Sequence, residues 1–221
     1  MQDIRAVLFD PVGCLAEFPA QEFDAIAEQV FGVAPAATVR SGSEAYWRVL
    51  QLMEAGGSLT ASQRQQAEAL EIAAVDRVEL YEDVVPALAE LRALGVSLIV
   101  ATSLSGAAVA RFIDRFSLRD HFSAVWSRDN AAGVRAAPIA KALEEGHLAP
   151  EQAMVLVDTT EGVTIAKNIT ANSMLMINDY DDGRRLAMEE PTGGIISLHE
   201  LPDVIRFIVE NAKAAALQPT I

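Results

Sequence analysis

The sequence has one cysteine, few basic residues and no long apolar run. With Cys14 alone the chain forms no intramolecular disulfide bond, which is typical of a reducing, cytoplasmic compartment. Its 17 Lys and Arg stand against 31 Asp and Glu, and the net charge of −14 argues against a nucleic acid or an anionic membrane as partner, because both would be repelled. No stretch approaches the roughly 20 apolar residues that cross a bilayer. Asp3 and Arg5 interrupt the first residues, so we expect neither a membrane segment nor a signal peptide.

Short apolar runs alternate with helical patterns along most of the chain. The runs cover residues 6–9, 96–101, 124–126, 154–157, 173–177 and, more weakly, 194–197. Because they are apolar throughout, they predict strands that are covered on both faces, as in a parallel sheet. The helical patterns between them cover residues 84–94, 107–116, 138–145, 162–168 and 201–216. This alternation predicts an α/β fold, a doubly wound (Rossmann-like) parallel sheet with right-handed crossovers.

Residues 16–80 break this alternation. They contain no strand pattern, and helical patterns cover residues 22–31, 43–55 and 60–80. The sequence therefore predicts an inserted helical cap that follows the first strand. We divide the chain into an α/β core domain, residues 1–15 and 81–221, and a helical cap domain, residues 16–80.

Polar side chains stand directly after three of the predicted strands. They are Asp10, the pair Thr102 and Ser103, and Asp158. In open parallel sheets, ligands bind outside the carboxyl ends of the strands. Asp10 and Asp158 on adjacent strands would bring two carboxylates together, and a hard cation such as Mg²⁺ would relieve their repulsion. Each aspartate could instead cap the helix or turn that follows it, and the spacing alone leaves both interpretations open.

Four segments resemble the motifs of the haloacid dehalogenase-like hydrolase superfamily, in the helical-cap branch that includes phosphoglycolate phosphatases and 2-haloacid dehalogenases. The first is Leu8-Phe9-Asp10-Pro11-Val12-Gly13-Cys14-Leu15, and the second is Val100-Ala101-Thr102-Ser103. The third is Arg135-Ala136-Ala137-Pro138, and the fourth is Val157-Asp158-Thr159 with the helix that follows it. The resemblance covers nearly the whole chain.

The resemblance implies a role for each matching residue. Asp10 would be the nucleophile that forms an aspartyl intermediate, Thr102 would bind the transferring group, and Arg135 would supply the positive charge that the family usually takes from Lys. Magnesium (Mg²⁺) would be held weakly by the Asp10 carboxylate, the Val12 carbonyl and Asp158. The residues implied to bind substrate are Ser103 of the core and Arg40 and Arg48 of the cap.

Several positions depart from the family's phosphatase pattern. Val12 stands where those phosphatases have a second Asp, the general acid and base, and loss of such a group typically lowers the rate 10²–10⁴-fold, roughly 3–5 kcal/mol of barrier. Arg135 in place of Lys is planar and bulkier, so the exchange is not conservative. Cys14 replaces a Thr, and we interpret it as a small buried side chain. We therefore predict a hydrolase with an impaired phosphatase site and weak or lost phosphomonoester hydrolysis.

Two alternatives stay open at this point. One is a metal-independent, dehalogenase-like hydrolase that uses Asp10, since a leaving halide needs no proton. The other is a non-catalytic binding protein that uses the surface of the cap. A Schiff-base route through a cap lysine is excluded, because the first lysine of the chain is Lys141. The expected substrate is a small molecule, a phosphate ester or an organic acid, and the sequence leaves a homodimer open.

Overall fold

The computed structural model describes residues 3–35, 41–178 and 180–216. Its centre is a six-stranded parallel sheet in the order β3-β2-β1-β4-β5-β6. The strands are β1 (Ala6–Phe9), β2 (Ser97–Ala101), β3 (Ala124–Trp126), β4 (Ala153–Val157), β5 (Asn172–Met176) and β6 (Gly193–Ile195). The predicted α/β fold with a doubly wound parallel sheet is confirmed, and each predicted strand is present to within two residues.

Helices cover the sheet and extend beyond it. After the short turn α1 (Pro11–Cys14), three helices come from the inserted segment: α2 (Ala20–Phe31), α3 (Gly42–Gly56) and α4 (Ala61–Arg77). The helices that alternate with the strands are α5 (Val84–Ala93), α6 (Gly106–Arg115), α7 (Ala136–Glu145), α8 (Thr160–Asn168), α9 (Tyr180–Ala187) and α10 (Leu201–Ala216).

The sequence pattern did not predict α9. Residues 179–182 have the composition of a solvated loop, but Tyr180 already begins a helix; Asp179 lies outside the described residues. The helix forms because Leu186, in its last turns, is buried. Gly183, one turn before Leu186, passes so close to Ile177 that an added Cβ would lie 2.4 Å from its Cγ2 atom. A short helix with two inward-facing positions gives too weak a periodic signal among so many charges.

The inserted helices leave and rejoin the core at one place. Ala16 and Leu80 form an antiparallel bridge, and the Tyr81 N–H donates to the Leu15 carbonyl at 3.0 Å. Apolar contacts continue across the junction, where the Phe18 and Phe112 rings stack with centroids 6.0 Å apart. These contacts join both ends of the inserted helical segment to the core, and the division into two domains stays a prediction. Across the described ranges, we find no helix with the length and apolar character that a membrane span requires.

Candidate active site

The order of strands reverses between β1 and β4, where a doubly wound sheet opens a crevice at its carboxyl edge. Asp10 follows β1 and Asp158 follows β4, on the two sides of that crevice. Thr102 follows β2, the other neighbour of β1, and Phe9 pairs in register with Val100. The sheet thus brings together the three strand-end residues that the sequence analysis selected.

Two hydrogen bonds orient the Asp10 carboxylate. The Val12 N–H donates to Asp10 Oδ1 at 3.1 Å and the Thr102 hydroxyl donates to the same oxygen at 2.8 Å. Asp10 is therefore the N-cap of the turn Pro11–Cys14, as the capping interpretation predicted, and its role in a ligand site stays a prediction.

A tyrosine from α3 extends this chain of hydrogen bonds. The Tyr46 hydroxyl lies 3.3 Å from Thr102 Oγ1. Thr102 has one hydroxyl hydrogen and gives it to Asp10, so the tyrosine is the donor when Asp10 is ionised. Tyr46 is also packed against Phe23, with ring centroids 5.1 Å apart, and is only 1% exposed. Tyr46 therefore packs in the core and also makes a polar contact with Thr102, which the sequence did not predict.

Asp158 makes its side-chain hydrogen bond with α3 as well. The Ser43 hydroxyl donates to Asp158 Oδ2. The turn after β1 passes so close that a Cβ on Gly13 would lie 1.7 Å from that same oxygen, and Gly13 has φ of +75°. Asn178, after β5, donates to the Gly13 carbonyl at 2.8 Å. Only glycine fits here, both because of the left-handed backbone and because of the close approach.

Burial in the crevice makes both carboxylates weak acids. Desolvation raises the pKa of Asp10 to about 7, opposed by the bonds from Thr102 and Val12 and assisted by the charge of Asp158. Desolvation also raises the pKa of Asp158 to about 7, against the Ser43 bond. Within the described residues, neither carboxylate forms an ion pair with a basic side chain. When the two carboxylates ionise above pH 7, only a bound cation could therefore compensate their negative charge.

We expect Asp10→Asn to stabilise the apo protein in a pH-dependent way. Because the folded state raises the pKa of Asp10, it holds the proton more tightly than the unfolded state, and stability falls as the pH rises from about 4 to about 7. Asparagine keeps the Oδ1 acceptor and removes this penalty. The variant should gain about 2 kcal/mol above pH 7, after allowance for partial exposure, and almost nothing at pH 4.

Urea unfolding in EDTA at pH 4 and pH 8 measures the change in unfolding free energy that Asp10→Asn causes. The matched control is Asp120→Asn, at an exposed position. An equal gain at both pH values would show that Asp10 is not desolvated in the fold.

Arg135 lines the same crevice but faces α3. Its guanidinium pairs with Glu54 and lies 5.9 Å from the centroid of the Trp47 ring. Its backbone N–H donates to Ser103 Oγ at 2.6 Å, and its φ of +61° is unusual for a residue with a side chain. The structure thus brings Arg135 and Ser103 together at the crevice wall, and the Ser103 hydroxyl already accepts a bond from Arg135.

Two cap arginines, Arg40 and Arg48, were implied by the family resemblance to bind substrate. The Arg48 guanidinium donates to the Ala34 carbonyl and lies 3.7 Å from Asp24. These contacts hold α3 against α2, and Arg48 is not part of the crevice lining. Arg40 lies outside the described residues.

A buried ion pair fastens α4 to the loop after β2. Glu71, 1% exposed, pairs with Arg128, which also donates to the Ser103 carbonyl at 3.1 Å. The second Glu71 oxygen accepts the Ser105 N–H at 3.0 Å. Desolvation alone would lower the pKa of Arg128, but the charge of Glu71 raises that pKa above its usual value. This ion pair supports the loop that carries Thr102 and Ser103.

The crevice between these groups is small and largely apolar. Its volume is about 40 Å³, enough for about three water molecules and far below the roughly 300–1,000 Å³ of typical ligand pockets. Val12, 2% exposed, and Cys14, 1% exposed, line it beside Asp10, together with Trp47 from α3. Burial, ahead of the charges of Asp158 and Asp10, raises the pKa of the Cys14 thiol well above its usual value. Cys14 is the small buried side chain that the sequence predicted.

Three polar groups of the site were not identified from the sequence. Asn178 could have been, because it follows a predicted strand at the same edge of the sheet. Glu71 also has a signal, since it shares the buried stripe of α4 with Ala67, Ala74 and Val75, and a carboxylate in such a stripe requires a partner. Ser43 has no signal, because only the packing of α3 over the sheet brings it to Asp158.

Comparison with known proteins supports the family and the fold. A model of the family described as haloacid dehalogenase-like hydrolase matches residues 47–176. The fold is similar to a predicted phosphoglycolate phosphatase from Haemophilus somnus 129PT, with 17% identity, a TM-score of 0.67 and coverage of 92% of this chain and 99% of that one. It is also similar to CbbY from Rhodobacter sphaeroides in complex with phosphate, with 22% identity and a TM-score of 0.65 over 90% of this chain and 96% of that one. A third similar structure is L-2-haloacid dehalogenase from Xanthobacter autotrophicus, with 19% identity and a TM-score of 0.60 over 92% of this chain and 98% of that one. No curated protein sequence matches the chain.

Proposed function

The chain belongs to the haloacid dehalogenase-like hydrolase family, and from that premise we propose that it is a member with an impaired phosphatase site. Asp10 is the retained nucleophile, and Val12 replaces the acid and base that would protonate a leaving alcohol and then activate water. Phosphomonoester hydrolysis is accordingly weak or lost.

One observation carries this proposal. Val12 lines the crevice beside Asp10 and is 2% exposed, so the position of the proton shuttle is filled by an apolar side chain in contact with the site. The nucleophile is otherwise well supported. Thr102 and the Val12 N–H fix the Asp10 carboxylate at the carboxyl edge of the sheet, where the fold binds its ligands.

The residues fit a weakly bound Mg²⁺. Asp10 and Asp158 are hard oxygen donors, and the charge of Asp158 contributes to the raised pKa of Asp10, so the two are close enough to interact. With the Val12 carbonyl they would hold the ion, which when bound would offset the charge of an incoming phosphate. Within the residues described, these two carboxylates belong to no cluster of three or more metal-binding side chains.

The substrate is a small molecule that carries a phosphate or another acidic group. CbbY, one of the similar structures, is a complex with phosphate. In this chain a phosphate could approach Asp10 only after α3 moves, because Ser43 and Tyr46 occupy the neighbouring polar groups. The Thr102 hydroxyl hydrogen, which Asp10 accepts here, would then turn to the transferring group, and Arg135, once released from Glu54, would supply positive charge.

A panel of alkyl phosphomonoesters with Mg²⁺ tests the proposal. We expect turnover that is slow or absent, and we expect Asp10→Asn to remove whatever remains. The measurement is release of inorganic phosphate, with the Asp120→Asn variant as the control for handling and folding. Rapid Mg²⁺-dependent hydrolysis of any alkyl ester would overturn the impaired site.

A second candidate, a metal-independent dehalogenase, is favoured by the apolar lining around Asp10. Attack of Asp10 on a carbon that bears a halogen releases halide, which needs no proton donor, and Arg135 beside Trp47 could hold the substrate carboxylate. Halide release from 2-haloacids in the presence of EDTA, abolished by Asp10→Asn, would favour this function. No release across a series of 2-haloacids would eliminate it.

A further inference from the structure

A second cavity lies away from the crevice, on the side of the sheet that α7 covers. Its volume is about 200 Å³, against about 40 Å³ for the crevice, and the two share no lining residue. It opens beside the end of α7, where Gly146 caps the helix and Leu148 follows. Here Ser97, the first residue of β2, is exposed and Ala124, the first residue of β3, is half-buried. The end of α7 therefore leaves the start of these two strands open.

The floor of this α7 cavity is apolar. Ile99 pairs in register with Ala124, and Trp126 stands two positions further along β3, so the three side chains lie on one face of the sheet. Ala142 of α7 and Leu148 after it complete the apolar lining. An apolar cavity of about 150 Å³ is enough to hold benzene, so the α7 cavity has room for one aromatic ring with a small substituent.

The rim of the α7 cavity carries a positive charge at the amino edge of the sheet. Arg5 and Ser97 line it side by side, since the Ser97 N–H donates to the Arg5 carbonyl at 2.9 Å. Among the residues that the structure describes, none pairs with the Arg5 guanidinium or bonds to the Ser97 hydroxyl. The rim carboxylate, Glu145, lies 2.8 Å from Lys141 Nζ, and that ammonium lies 5.9 Å from the centroid of the Trp126 ring. The charge of Arg5 is therefore left uncompensated in a chain with a net charge of −14.

An apolar floor beside an unpaired guanidinium fits a flat ring that bears a carboxylate. We propose that the α7 cavity binds a small aromatic carboxylate. The Arg5 guanidinium donates to both carboxylate oxygens in a forked arrangement, and the Ser97 hydroxyl is a further donor beside it. The ring packs over Trp126, as aromatic pairs do in proteins. A ring of the same size that bears an ammonium group is repelled by Arg5.

The test is a titration of the Trp47→Phe variant with benzoate at neutral pH. The chain has two tryptophans, so this variant leaves Trp126 as the only one, and its fluorescence should change and saturate. Benzylamine, the amine of similar size, should bind at least tenfold more weakly. Saturation-transfer NMR on the protons of both compounds repeats the comparison with the unmodified protein, so the result does not depend on the folding of a variant.

The matched variants are Arg5→Gln and Arg92→Gln, the second at an exposed position of α5. Arg5→Gln should weaken benzoate binding about tenfold or more, because a charge-assisted hydrogen bond is lost, and Arg92→Gln should leave it unchanged. Equal binding of benzoate and benzylamine, or an equal effect of the two variants, would overturn the proposal, because Arg5 would not recognise the ligand. Absence of saturable binding at millimolar benzoate would overturn it as well. None of these results depends on Asp10, so the proposed function is tested separately by phosphate release.

Discussion

Val12→Asp is expected to raise Mg²⁺-dependent hydrolysis of alkyl phosphomonoesters by about 10²–10⁴-fold. The substitution places a carboxylate in the crevice lining beside Asp10, where it can protonate the leaving alcohol and then activate water. The gain corresponds to roughly 3–5 kcal/mol of barrier. The measurement is the initial rate of phosphate release at saturating Mg²⁺, compared with the unmodified protein.

The matched control is Val12→Asn, because asparagine has the shape of aspartate but cannot take up or give a proton. It should show no gain. Because Val12 is 2% exposed, both variants lose some stability, and thermal unfolding must show that both are folded at the assay temperature. A folded Val12→Asp protein with no increase in rate would mean that this position does not control the chemistry.

Removal of the buried arginine is expected to have the largest effect on stability. Arg128→Met leaves the Glu71 carboxylate without its partner at a position that is 1% exposed, and breaking a buried pair in this way costs about 3–5 kcal/mol. Urea unfolding should show a much lower midpoint. The double variant Glu71→Leu and Arg128→Met should lose less than Arg128→Met alone, because no unpaired charge remains.

The control for this prediction is Arg119→Met. Arg119 pairs with Asp114 at 3.0 Å, but both side chains are more than 60% exposed, and such a pair contributes about 0–1 kcal/mol. If Arg128→Met costs no more than Arg119→Met, the Glu71 pair does not fasten α4 to the loop that carries Thr102.

The sheet and the edge that carries the candidate site could be predicted from the sequence because each strand is a separate, local signal. Apolar runs that end in a polar residue predicted both the strands and the positions of Asp10, Thr102 and Asp158. Once the strands are parallel, their carboxyl ends meet at one edge.

The contribution of α3 to the site could not be predicted. Ser43 and Tyr46 are separated from their partners Asp158 and Thr102 by 115 and 56 positions, and nothing local in a helix says which face will lie over the sheet. The orientation of Arg135 is a similar case, because Glu54 and Trp47 of α3 determine it. Long-range packing, not local propensity, therefore decides how closed the crevice is.

The dependence of the rate on the leaving group tests the central claim most directly, and it needs no variant. We would measure kcat/KM for the unmodified protein with Mg²⁺ and a series of aryl phosphates whose phenols differ in acidity. If Asp10 attacks without a proton donor at Val12, the logarithm of kcat/KM should rise steeply as the leaving phenol becomes more acidic. A rate that is independent of leaving-group acidity, with chemistry rate-limiting, would show that the site protonates its leaving group, and would contradict the account.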